Sequence, residues 1–454
     1  MKQHFLALSL MLLLALATSA QDDVAESTPI SIPATVSFDK GKLTFKNEEQ
    51  GFKLWLDSRV YVDAAAYSPK QDVSHLNSKP NKDLEFDDGQ FRFSNGIIIR
   101  RARFAVKATL YHNWFSELDF DFAYNEVEIK DMFIGYKFND HISIKAGNFK
   151  EPMSMERMTS SKYITSAERP MAVDAFAAGR SVGIAATAWN DHWWVSGGFF
   201  GEQTNILHKE KNRGNSGYAF TGRAAVSPIN NESTTIHIGA YGTYRTPDAL
   251  GQEDRFVQFR CFPESRVDRR RFVRTEEIAN VNHYTTSAME LAFRHEKWLL
   301  QGEYIFTNLS RYKYVGRNKV DLDNATFDGW YCTASYAIFG KNRTYSPEDA
   351  EFETANPAPK TGNLELAARV SAINLNDFHE KTAVITGGSA LNYTAALNWY
   401  PNRNVLIGFN YSFMDQDKYA DDKGHITQGG ISLAQAMPSG IDFSTYKLRL
   451  MISF

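Results

Sequence analysis

The chain has 454 residues, with 50 Lys and Arg against 53 Asp and Glu, a formal net charge of -3, 43% hydrophobic and 13% aromatic residues, and a mean hydropathy of -0.40. A polytopic helical membrane protein is excluded because no apolar run of about 20 residues follows the first 20 positions, and disorder is excluded by 32 Phe, 21 Tyr and 8 Trp. No basic excess marks a nucleic-acid partner.

Met1-Lys2-Gln3-His4, the apolar run Phe5 to Ala17 and the small residues Thr18-Ser19-Ala20 read as a secretory signal peptide at 1–20, cut after Ala20. Residues 21–50 are polar and are expected to form an N-terminal periplasmic segment. From 51 to 454 the pattern is one all-β unit, a closed antiparallel transmembrane β-barrel of about 16 strands. Period-two alternation places strands near 52–66, 96–110, 115–123, 128–138, 142–150, 181–189, 193–203, 215–227, 233–246, 284–294, 298–308, 325–339, 363–373, 391–400, 404–414 and 441–454. Leu118, Phe120 and Phe122 point one way while Glu117, Asp119 and Asp121 point the other. One side suits hydrocarbon and the other water.

Joins alternate between short turns, such as Asn139-Asp140-His141 and Asn190-Asp191-His192, and long polar stretches near 67–95, 151–180, 247–283 and 415–440. Two joins break that order: 124–127 is short where a long external loop is due, and 340–362 is long where a periplasmic turn is due. The join at 151–180 holds Met153, Met155, Met158, Tyr163, Ile164, Met171, Val173 and Phe176, so it is expected to fold into the lumen and narrow the pore. Arg255, Arg260, Arg266, Arg269, Arg270, Arg271 and Arg274 crowd the join at 247–283. They are either solvated surface or a collector for anions or lipopolysaccharide phosphate.

At the end of the chain, Tyr446, Leu448, Leu450, Ile452 and the terminal Phe454 alternate with Thr445, Lys447, Arg449, Met451 and Ser453. This resembles the insertion signal of bacterial outer-membrane proteins and places the protein in the outer membrane of a Gram-negative bacterium, after passage through the barrel assembly machinery. Cys261 and Cys332 have no metal-ligand spacing and read as two unrelated thiols. No metal site, cofactor or catalytic motif stands out, and turnover is not expected. Glu117, Asp119 and Asp121 could supply carboxylates to a barrel enzyme, but pore lining is the simpler reading. Long loops keep a surface receptor as the other alternative.

The runs Ile99-Arg100-Arg101-Ala102-Arg103-Phe104, Ile129-Lys130-Asp131-Met132-Phe133-Ile134-Gly135-Tyr136 and Gly147-Asn148-Phe149-Lys150-Glu151-Pro152-Met153-Ser154 resemble the phosphate-selective porin O and P family. So do Thr159-Ser160-Ser161-Lys162 with Ala167-Glu168-Arg169, and Gly362-Asn363-Leu364-Glu365-Leu366-Ala367-Ala368-Arg369-Val370-Ser371. The resemblance covers residues 37–454. It implies a homotrimeric sixteen-stranded porin in outer-membrane lipid and lipopolysaccharide that passes small polar or anionic solutes, with a dedicated phosphate or polyphosphate channel as the narrower alternative. It also implies an anion path at Arg100 and Arg101 beside Arg103, with Arg157, Ser160 and Ser161 as anion contacts in the folded-in loop and Asp131 as an acid near them. On strand parity alone, Arg100 shares the side of Ala102, Phe104 and Val106, which leaves a lipid-facing Arg100 open. The lumen charges are mixed: Arg103, Lys107, Lys145, Arg223, Arg369, Lys447 and Arg449 stand among Glu117, Asp119, Asp121, Glu290, Glu303 and Glu365. Such a mixture makes a broad porin the safer reading.

Overall fold

A computed structural model describes residues 34–39, 41–70, 91–203, 216–248, 255–316, 318–353, 355–378, 383–420, 425–428 and 440–454. The expected signal peptide at 1–20 lies outside the described residues. Strands β1 (Thr35–Asp39) and β2 (Lys42–Asn47) precede β3 (Phe52–Pro69), β4 (Gly96–Leu110), β5 (Trp114–Asp121), β6 (Glu128–Asn139) and β7 (Ile142–Lys150). Two short helices, α1 (Met155–Met158) and α2 (Met171–Phe176), occupy the next join. The chain continues through β8 (Arg180–Trp189), β9 (Trp193–Gln203), β10 (Tyr218–Asn230), β11 (Thr234–Thr246), β12 (Val281–His295), β13 (Trp298–Val315) and β14 (Asn318–Phe339). A small hairpin, β15 (Tyr345–Ser346) and β16 (Glu351–Phe352), comes before β17 (Asn363–Asp377), β18 (Ala383–Asn402), β19 (Val405–Gln416), β20 (His425–Gln428) and β21 (Phe443–Ser453).

Sixteen of these strands, β3 to β14 with β17, β18, β19 and β21, pair antiparallel with their neighbours, and β21 closes the ring on β3. The alternation seen in the sequence is the physical cause. Outward residues such as Met289 (73% exposed) and Ile134 (54%) are apolar, while inward Glu290 and Arg223 are buried. Closure leaves no open sheet edge in the hydrocarbon region. Trp114, Phe138, Trp193, Trp298 and Trp399 are exposed beside the short turns and, with exposed Phe339 at the start of the 340–362 join, form an aromatic girdle at that rim.

The wall is uneven, with 8 to 12 residues in each of β5 to β9 but 15 to 22 in β12, β13, β14, β17 and β18. Within the stretch 21–50, expected to be a polar N-terminal periplasmic segment ahead of the barrel, β2 pairs with the start of β3 and β1 pairs with β2. The sheet therefore begins before residue 51.

Candidate pore constriction

Three joins fill the lumen. The stretch 151–179 crosses from β7 to the far wall, where α2 packs on β13, β14 and β17. Its Met153, Met155, Ile164, Met171, Val173 and Phe176 are all buried, as their apolarity demands. Gly329 in β14 permits the approach, since a Cβ there would fall 2.7 Å from both the Ala172 Cβ and the Ala372 carbonyl oxygen. The Arg-rich stretch 255–280 folds over the same space on its buried apolar residues, while Arg260 and Arg269 stay exposed. Phe259 meets Phe176 at 5.6 Å and Phe327 at 5.5 Å between ring centroids, and Arg266 pairs with Asp174 at 2.9 Å. The long join at 340–362 is real and also enters the barrel, where Tyr345 hydroxyl and His237 Nδ1 lie 2.8 Å apart.

A break in the β3–β4 ladder resolves the parity of the paired arginines. Tyr61 pairs with Arg101 but Val62 pairs with Ile99, so Arg100 is an extra residue in a β-bulge. Both side chains then turn inward, 5% and 8% exposed, and the lipid-facing alternative for Arg100 is excluded. The two have different surroundings. Arg100 Nε and Nη2 donate to the carboxylate oxygens of Glu168 at 2.5 and 2.9 Å, whereas the Arg101 guanidinium lies 5.9 Å from the Tyr61 ring centroid and has no carboxylate partner among the described residues.

Arg100, Arg101, Arg103 and Arg157 line one cavity of about 220 Å³ between the wall and the in-folded joins. Eight basic and six acidic side chains surround it. Most are matched: Arg103 with Asp121 at 3.0 Å, Arg180 with Asp131 at 2.5 Å, Arg266 with Asp174, and Lys130 with Glu128. Glu264 is taken by Arg369 of the wall. Arg101, Arg157 and Arg169 keep no carboxylate partner among the described residues, against Glu126 alone on the acidic side. Arg157 Nη2 donates instead to the Val173 carbonyl at 2.5 Å and the Ala177 carbonyl at 2.8 Å. Arg169 donates to the carbonyls of Glu156 at 2.8 Å and Thr159 at 2.6 Å, and Lys150 Nζ to that of Met158 at 2.5 Å. Carbonyl dipoles hold these cations without cancelling their charge. Burial, with Arg157 nearby, brings Arg169 down to about 10, which leaves it protonated at neutral pH.

Ser160 and Ser161 stand apart from that cavity. Arg59 Nη1 on β3 donates to Ser161 Oγ at 3.2 Å and to Ser160 Oγ at 3.4 Å. They are thus grouped with Arg59 rather than with Arg157, and Asp131 sits behind Arg180. Glu117, Asp119 and Asp131 bring carboxylate oxygens within 4.8 Å of one another, but Lys107, Arg103 and Arg180 answer them at 3.0, 3.6 and 2.5 Å. Sequence reasoning missed Arg59, Arg169 and the anchoring role of Glu168. For Arg169 and Glu168, a charge inside an apolar loop was the available signal.

Comparison with known proteins places this architecture among outer-membrane channels. The profile of the family described as phosphate-selective porin O and P matches residues 80–437. The chain is 22% identical over 440 residues to Porin O of Pseudomonas aeruginosa, covering 90% of this chain and 94% of that one. It is 24% identical over 409 residues to an uncharacterized protein of Caulobacter vibrioides, covering 88% and 75% of the two chains. The outer membrane channel DcaP of Acinetobacter baumannii superposes with a TM-score of 0.51 at 10% identity, over 90% of this chain and 99% of that one.

Proposed function

The chain belongs to the phosphate-selective porin O and P family, and we propose that this outer-membrane porin, a channel for small hydrophilic solutes, prefers anions because of the cations left uncompensated in its constriction. The observation that carries this reading is the contrast between Arg100, neutralised by Glu168, and Arg101, Arg157 and Arg169, which face the cavity with no carboxylate partner among the described residues. Guanidinium offers positive charge and forked donors to an anion that sheds water in a narrow section. The nearby paired acids keep the binding weak enough for release.

Phosphate is the test ligand for the narrower reading. Millimolar phosphate added to a chloride bath should reduce the chloride current if the cavity holds phosphate, and leave it unchanged if the channel discriminates by charge alone. The short strands β5 to β9 support a homotrimer, since 8 to 12 tilted residues only just span the hydrocarbon and are better covered by neighbouring copies than by lipid. Chemical cross-linking in the membrane tests that arrangement. A cleaved leader at 1–20 completes the proposed route to the outer membrane, and the N-terminal sequence of the mature protein checks it.

A further inference from the structure

We propose that the β1–β2 hairpin is a membrane contact whose apolar face rests on phospholipid at the periplasmic rim of the barrel. Val36 pairs with Phe45 and Phe38 with Leu43, so the four apolar side chains share one face of the hairpin. Val36 is 58% exposed, Phe38 69% and Leu43 38%, which is far more than a hairpin folded against protein would leave open. The face has a definite direction. Phe45 pairs with Leu54, which has the parity of outward-facing Val60, while Thr44 is buried on the opposite side and Lys42 Nζ reaches Asp57 Oδ2 at 3.7 Å. The apolar face is therefore continuous with the lipid-facing surface of the barrel.

The hairpin is also held in place. Asn404 Nδ2, in the turn between β18 and β19, donates to the Gly41 carbonyl at 3.3 Å, and a Cβ at Gly41 (φ +81°) would fall 2.3 Å from that nitrogen. Among the described residues β1 pairs only with β2, so its outer main-chain edge is open. Hydrocarbon does not tolerate such an edge, but the hydrated headgroup layer does. That depth agrees with the girdle residue Trp399, one turn away on β18. Apolar side chains dipping into the glycerol region with a wet polar edge is the arrangement of interfacial amphipathic segments.

The test places an environment-sensitive fluorophore on Phe38→Cys in a Cys332→Ser background. Cys261 is 1% exposed and stays out of reach. The full chain is reconstituted in vesicles of phosphatidylethanolamine and phosphatidylglycerol carrying a nitroxide lipid, with heat-modifiable migration as the check on folding. Quenching of about twofold is expected at position 38, with the same at Leu43→Cys and none at Ser37→Cys on the polar face. Equal quenching at positions 37 and 38, or none at either, overturns the proposal. So does blue-shifted emission at 38 without lipid quenching, because then a protein surface, a second copy included, covers the face.

Discussion

Glu168 accepts both hydrogen bonds of the Arg100 guanidinium and lies within 3.7 Å of three further cations, Lys447 at 3.5 Å, Arg449 at 3.3 Å and Arg266 at 3.7 Å. Burial pushes the Glu168 carboxyl up, but Arg100 and Lys447 outweigh it and hold it well below the usual carboxylate range. One loop carboxylate thus ties the in-folded join to β4, β21 and the 255–280 stretch. Removing one partner from a buried pair costs roughly 3–5 kcal/mol. Glu168→Gln should therefore loosen the join, giving a lower denaturation midpoint and a noisier, larger single-channel current. A quiet channel of parental conductance would show that the apolar packing alone holds the loop.

Gly329 offers an independent test of the crossing. Gly329→Ala puts a methyl group against Ala172 and the Ala372 carbonyl, both at 2.7 Å, and such overpacking costs typically about 1–3 kcal/mol. The wall carbonyl cannot retreat, so α2 must. Single-channel conductance should rise, and an unchanged value would mean that α2 does not border the conducting path.

The joins also carry a pH dependence. Burial, reinforced by Asp349, pushes the Glu351 carboxyl up to about 8, and burial, only partly offset by Asp57, brings Lys162 down to about 8. Raising the pH from 7 to 9 adds a negative charge at Glu351 and removes a positive one at Lys162. Anion preference should fall across that window, by less in Glu351→Gln and not at all when Lys162→Gln is added. For stability the sign follows from the raised Glu351 value: its contribution is full below the unfolded carboxyl range and is lost as pH rises to about 8. Glu351→Gln should flatten the decline in thermal midpoint between about pH 4.5 and 8.

Closure of the barrel depends on the last residues. Ile452 pairs with both Val405 and Val60, and the Phe454 amide donates to the Ser58 carbonyl at 2.9 Å. Deleting residues 452–454 should lower the folded, heat-modifiable form in the outer membrane. Normal assembly of the truncated chain would remove the terminal strand from the account.

Much of the wall was legible because lipid and water impose a strict period of two. The stretches 96–110 and 142–150 coincide with β4 and β7 from end to end. Length was less legible: 325–339 understates β14, whose mostly exposed first residues, 318–324, lack a lipid-facing side to print alternation. The inward Arg100 could not be read, since a bulge shifts register without leaving a mark in residue type, and parity alone had allowed a lipid-facing side chain. The in-folded join at 151–180 could be read from its methionines. The 255–280 stretch could have been, from Val257, Phe259, Phe272 and Ile278, had the arginines between them not suggested solvent. Which charges cancel is long-range: Arg369 finds Glu264 across 105 residues of sequence, and Arg449 finds Asp63 across 386.

The most direct test of the central claim is the reversal potential across a potassium chloride gradient, measured for the parent, Arg101→Gln, Arg157→Gln and Arg269→Gln. Arg269 is exposed on the 255–280 stretch, stacked 4.3 Å over Tyr124, and lies outside the cavity lining. An anion-preferring parent is expected, with Arg101→Gln and Arg157→Gln each moving the potential toward cations and Arg269→Gln leaving it nearly unchanged. A cation-preferring parent, or equal shifts in all three variants, would contradict a filter built from the uncompensated cations of the constriction.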